Sequence, residues 1–168
     1  MKRLIAATVV TAAAVAALAG CTVSTSQPLV FNADSCTKLA PSVENQIDGL
    51  KLDPSSKLAD ATGTCIWSDD TGRSVAIAVA GKGDGVGVQA GAQSKREKIA
   101  ADKSLSIIDN ETLSGDDKVL YTEAGSTADS SRTFTADADL DGKVTLTVDG
   151  VKVTDGDASA IFTALFTG

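Results

Sequence analysis

Hydrophobic patterning divides the chain sharply after its first twenty residues. Leu4 to Ala17 is an uncharged run rich in Ala and Val, preceded by Lys2 and Arg3. Beyond it, apolar side chains recur at intervals among polar ones, as in amphipathic elements that turn one face to a core. Asp34 and Ser35 can cap a short helix carrying Cys36 and Leu39, and Pro41 suits the first turn of a second helical stretch. Val43 and Ile47 lie four apart on one face, and Gly49 is placed to end it. Residues 50–63 include Asp53-Pro54-Ser55-Ser56 and read mostly as loop.

Two hairpins of one design follow. Cys65 and Trp67 alternate with polar neighbours, as do Val75, Ile77 and Val79 after Asp70-Thr71-Gly72. A three-residue loop with Gly72 at the left-handed bulge position sets Asp69 opposite Arg73, Trp67 opposite Val75 and Cys65 opposite Ile77. The second hairpin has Leu140-Asp141-Gly142 as its loop. Asp139 then faces Lys143, Ala138 faces Val144, Ala136 faces Leu146 and Phe134 faces Val148, with Thr135 and Thr147 on the other side.

Between the hairpins lie the glycine-rich Gly81–Gly91, a helix near Ala92–Lys103, a loop holding Ile107 and Ile108, and a strand around Val119–Glu123. At the tail, Ala158, Ile161, Phe162 and Leu165 follow the helical repeat, with Asp155 or Asp157 as cap. The expected domain, residues 34–168, is α+β. It has a mostly antiparallel sheet of four to six strands, helices packed on one face, and one disulfide.

The opening run is shorter than the roughly 20 apolar residues of a membrane helix and suits the core of an export signal. It ends in Leu18-Ala19-Gly20-Cys21, which resembles the lipobox of bacterial lipoproteins. Small side chains let the backbone lie close in a protease groove, and a thiol can form the thioether to diacylglycerol. The resemblance implies residues 1–20 as signal peptide, Cys21 as the lipidated first residue of the mature chain, and the extracytoplasmic face of the cell membrane as location. The alternative is an ordinary secretory signal with a chance cysteine. Several acyl chains on Cys21 would make a stable anchor, because each buried CH₂ contributes about 0.8 kcal/mol. Residues 21–33 then form a polar tether that reaches about 40 Å when extended.

Removal of 20 residues from 168 leaves 148, enough for one domain, with 13 basic against 22 acidic side chains and a charge of −9. So acidic a chain is a poor partner for nucleic acid and is repelled by anionic headgroups. Of all 168 residues 43% are hydrophobic, enough for a core, and the few aromatics are expected mainly inside it. Histidine is absent, which excludes Ser-His-Asp and Cys-His catalysis, imidazole zinc sites and a histidine pH switch. With Cys21 acylated, Cys36 and Cys65 have only each other to pair with, and export to an oxidising compartment predicts that disulfide.

Asp137-Ala-Asp139-Leu-Asp141-Gly142 resembles the opening of a calcium loop, with an acid at every second position before a turn glycine. Val148 stands where the bidentate glutamate belongs, so these aspartates are weak metal candidates and equally suit the solvent side of a hairpin. Gly81–Gly91 contains Gly85-x-Gly87-x-x-Ala90, yet antiparallel hairpins on either side lack the parallel crossover of a dinucleotide site. The segment reads as a surface loop or a lip over a groove. Lys95, Arg96, Lys98 and Lys103 form a small basic cluster diluted by Glu97 and Asp102, and Asn110-Glu-Thr112 matches a glycosylation sequon by coincidence.

Asp34-Ser-Cys36-Thr-Lys-Leu39-Ala-Pro41, followed by a helix and Thr64-Cys65-Ile-Trp67, is similar to the actinobacterial lipoproteins of domain-of-unknown-function family 3558. That resemblance implies a disulfide-stapled α+β domain outside the membrane and supplies no catalytic residues. The reading is a cell-envelope lipoprotein that binds a small molecule, a lipid or an envelope protein. It carries no cofactor beyond the lipid on Cys21. The alternatives are an envelope enzyme working through Asp137, Asp139 and Asp141, and a passive structural or antigenic surface protein.

Overall fold

The computed structural model describes residues 35–59, 62–80, 92–115, 118–138 and 142–167. Helix α1 (Cys36–Leu39) passes into a 3₁₀ turn (Ala40–Val43) and then into β1 (Lys51–Leu52), β2 (Lys57–Ala59), β3 (Thr62–Ser68) and β4 (Ser74–Ala80). After α2 (Ala92–Ala101) come β5 (Leu105–Ile108), α3 (Glu111–Gly115), β6 (Val119–Glu123), β7 (Arg132–Ala138), β8 (Gly142–Asp149) and α4 (Asp155–Thr167). The strands make one eight-stranded antiparallel sheet, in the order β1-β3-β4-β8-β7-β6-β5, with β2 also paired to β3. The sheet is larger than the four to six strands expected, and the helices are few.

Period-two alternation places Cys65 and Trp67, Val75, Ile77 and Val79, Val144, Leu146 and Val148, Phe134 and Ala136, and Leu120 on one face. All are buried, and they form one cluster with Leu39, Val43, Leu113, Ala158, Ile161, Phe162 and Leu165. Helix α1 with its 3₁₀ turn, α3 and α4 therefore cover this face. Helix α4 begins with a reciprocal cap. The Asp157 amide donates to the Thr154 hydroxyl at 3.1 Å, while that hydroxyl and the Thr154 amide donate to the Asp157 carboxylate. Thr154 is thus the capping residue, rather than Asp155 or Asp157.

Helix α2 lies on the other face, which corrects the expectation of helices on one side only. It packs against β5 and β6, and its Lys95 reaches Asp137, whose neighbours Ala136 and Phe134 point into the main core. Ile99 of α2 and Val119 of β6 are buried outside the main cluster, as a small second core. Since Ile99 is the only large apolar residue in α2, that helix shields just one end of the face.

The first hairpin has the expected register: Trp67 opposite Val75, Cys65 opposite Ile77, and the Asp69 amide donating to the Arg73 carbonyl, with Gly72 at φ +91°. The second is shifted by two. Asp137, not Asp139, faces Lys143; Ala136 faces Val144; Phe134 faces Leu146; and Arg132 faces Val148. A shift of two keeps every side chain on its own face, so alternation cannot choose between these registers. The observed one sets Asp137 between Lys143 and Lys95, and Thr133 against Thr147.

Two segments read as loop are strands. Lys51–Leu52 and Lys57–Ala59 pair with β3, and Leu105–Ile108 pairs with β6. Ile108 enters the core while Ile107 turns to the second face beside Tyr121.

Candidate functional site

Cys21 and the segments 1–20 and 22–33 lie outside the described residues, as do Gly81–Gly91, Asp139 and Asp141. Cys36 and Cys65 are bonded to each other, with Cα atoms 5.4 Å apart. The bond joins the first turn of α1 to the middle of β3, and both cysteines are buried in the main core.

The second sheet face carries the other side chains of each strand. Across its middle run Thr64, Ala78, Thr145, Thr135, Tyr121 and Ile107, one per strand, each opposite the next. Beside them lie Ile66, Ala76, Thr147 and Thr133. Over the middle of β3, β4 and β8 the side chains of this face are small except Ile66, and they are half-buried. Methyls and hydroxyls alternate there, which gives a shallow platform able to accept apolar contact and hydrogen bonds together.

Where the platform meets α2, charge is concentrated. The Lys95 ammonium lies 2.8 Å from the Asp137 carboxylate, with both side chains about four-fifths buried (22% and 21% exposed). Lys143 stands opposite Asp137, and Tyr121 neighbours the same row. Burial pushes the Tyr121 phenol up, and the charge of Asp137 adds to that; a hydrogen bond with Thr135 and the charge of Lys95 oppose it. Asp137 is therefore engaged by the Lys95 ammonium and is not a bare carboxylate awaiting a metal. Among the described residues no group of three or more metal-ligating side chains converges.

The basic cluster on α2 is partly committed. Lys95 pairs with Asp137 and Arg96 with Asp109 at 2.6 Å, whereas Lys98 and Lys103 are exposed. Sequence reasoning found these cations and Asp137 separately. It missed their pairing, because 42 residues separate Lys95 from Asp137.

Asn110 has a role that its sequon conceals. It is 7% exposed, and its side-chain amide donates to the Ser159 carbonyl and hydroxyl and to the Thr163 hydroxyl, at 2.8–3.0 Å. Its carbonyl accepts from the Leu113 amide at 2.9 Å. Asn110 thus caps α3 and fastens it to α4.

Compared with protein-family models, with curated proteins and with solved structures, the chain matches none.

Proposed function

We propose that the protein is a lipid-anchored module of the cell envelope that binds a small molecule or an envelope partner on the second face of its sheet. The observation that carries this reading is the Ala76–Ala78–Thr145–Thr147–Thr133 platform, beside which, among the described residues, α2 packs on the β5–β6 end. An antiparallel sheet commonly packs one face on the core and turns a polar face to water. Here that face mixes Ala methyls with Thr hydroxyls, and the Lys95–Asp137 ion pair rims one side.

The placement outside the membrane rests on the signal-like run, on Leu18-Ala19-Gly20-Cys21 and on the Cys36–Cys65 bond, which belongs to an oxidising compartment. The likeness to the family 3558 lipoproteins agrees with that placement.

The test is a native mass spectrum of the detergent-purified protein from its own host, beside the Ala76→Lys variant. The expected result is an adduct or co-purifying partner that Ala76→Lys loses. A bare mass, or an adduct indifferent to that substitution, overturns the binding reading. Anchoring is tested separately: Cys21→Ser should move the protein from the membrane fraction to the soluble one.

A further inference from the structure

The second face of the sheet has a charge balance opposite to that of the chain. Residues paired across antiparallel strands share a face, so Lys51 of β1 stands on it beside Ser68, and Lys57 of β2 beside Thr64. Lys143 and Asp149 lie on it toward the two ends of β8, opposite Ala80 and Ser74. Over β1, β2, β3, β4 and β8 the charged side chains of this face are thus three lysines and one aspartate, all exposed. Farther across the sheet come Asp137, held by Lys95, and Glu123 opposite Leu105. The chain as a whole has 22 acidic against 15 basic residues.

Lys51 and Lys57 straddle Ile66. Their partners Ser68 and Thr64 are four residues apart on β3, about 13 Å, with Ile66 midway on the same face. Toward the edge the backbone of Ile66 is already satisfied: the Asp53 amide donates to its carbonyl, and the Ser56 hydroxyl accepts from its amide at 2.9 Å. Asp53 lies between the two lysines in sequence, but its carboxylate accepts from the Ser55 amide and hydroxyl at 2.7 and 2.6 Å. Among the described residues no ion pair involves Lys51 or Lys57. From Ile66 a row of Ala76, Thr147 and Thr133 runs inward across the sheet.

We propose that the second face takes a small organic anion, with its charged head between Lys51 and Lys57 and its apolar body over Ile66 and Ala76. This rests on the reading of that face as a binding surface and names the class of molecule it takes. The two ammonium groups sit on flexible stems and can close on a carboxylate or phosphate. The acidic remainder of the surface repels such an anion and steers it to this edge. The small side chains beyond Ile66 leave room for its body.

The experiment is a titration of the full chain in non-ionic detergent with phenyl phosphate, inorganic phosphate, benzyl alcohol and benzylamine, followed by amide resonances. The proteins are wild type, Lys51→Gln, Lys57→Gln, the double variant, and Lys98→Gln as an exposed cation on α2. Phenyl phosphate should shift the amides of residues 51–57, Ile66 and Ala76. Each single substitution at 51 or 57 should weaken it about threefold and the double variant about tenfold, while Lys98→Gln changes nothing. Added salt should weaken it further, and inorganic phosphate and benzylamine should each bind at least about tenfold less well. Equal affinity in the double variant overturns the proposal. Benzyl alcohol or benzylamine shifting these amides as readily as phenyl phosphate overturns the anionic class but leaves the face a binding surface. If no probe shifts them the proposal falls, and the native adduct separately decides whether the face binds anything.

Discussion

The guanidinium of Arg132 lies 2.6 Å from the carboxylate of Asp155, joining the first residue of β7 to the first residue of α4. Arg132 is also held by the Val153 carbonyl at 3.0 Å and the Ser126 hydroxyl at 3.1 Å, and it stacks 4.5 Å from the centre of the Phe134 ring. A charge with only 4% of its side chain exposed persists in the core because every direction around it is answered.

Two substitutions separate the roles of this pair. Arg132→Ala removes hydrogen bonds to a buried charge and leaves the Val153 carbonyl without its donor, and should cost about 3 kcal/mol in chemical denaturation. Asp155→Asn acts at a carboxylate 59% exposed and leaves the other Arg132 contacts in place, so about 1 kcal/mol is expected. Equal losses would mean that the ion pair, rather than the buried network, holds α4 to the sheet.

Asn110 makes a second connection to α4. Asn110→Ala abolishes the cap on α3 and strands the Ser159 and Thr163 acceptors, and should cost about 2–3 kcal/mol. Asn110→Asp keeps the capping oxygen but sets a buried carboxylate against the Ser159 carbonyl, so it should recover little. In a host that glycosylates Asn-x-Thr, the folded domain should carry no glycan at this position, because the amide is enclosed; the intact mass checks this.

The parts of the fold that the sequence discloses are those decided locally. The β3–β4 hairpin is legible because Asp69, Gly72 and the alternation on both arms all specify one turn. Its partner is legible as a hairpin but not in register. Both registers bury Phe134, Ala136, Val144 and Leu146, and the choice falls to contacts from elsewhere, such as Lys95 on Asp137. Strands β1 and β2 are two and three residues long, and they are ordered by the edge that β3 offers them. Ile107 and Ile108 obscure β5, since two adjacent apolar residues look like a break in alternation until both faces are known to be covered there. The candidate site follows the same division. Asp137 and the cations of α2 can be singled out along the chain, but the platform exists only once β4, β7 and β8 lie side by side.

Acid should loosen the turns first. Thr71 donates to the Asp69 carboxylate from its hydroxyl and amide, and Arg73 adds two further contacts; together they outweigh partial desolvation and hold Asp69 well below the ordinary aspartate value of 3.8. Ser55, Ser104 and Thr154 lower Asp53, Asp102 and Asp157 in the same way. A carboxylate depressed in the folded state contributes stability above its unfolded pKa. That contribution is lost as pH falls through the folded value. Thermal midpoints should therefore hold steady near neutrality and drop below about pH 4. Asp69→Asn should lower the neutral midpoint and make the acid limb shallower. An unchanged acid limb in that variant would remove Asp69 from the account.

The Cys36–Cys65 bond closes a separation of 29 residues that includes α1, β1, β2 and the first half of β3. In the chain-entropy view, such a loop contributes about 3–4 kcal/mol by restricting the unfolded chain. The same bond also holds α1 against β3, and a helix of four residues has little stability of its own. Replacing both cysteines by serine should thus do two things: lower global stability by about that amount, and release protection of the amides in residues 36–47 well before the central strands. Replacing both by alanine avoids burying hydroxyls, so the excess loss in the serine variant over the alanine variant measures polar burial alone. Hydrogen exchange followed by peptide mass distinguishes these effects. If the amides of 36–47 stay as protected as those of β4 and β8 without the bond, then the apolar contacts of Leu39 and Val43 suffice to dock this segment, and the disulfide acts only on the unfolded state.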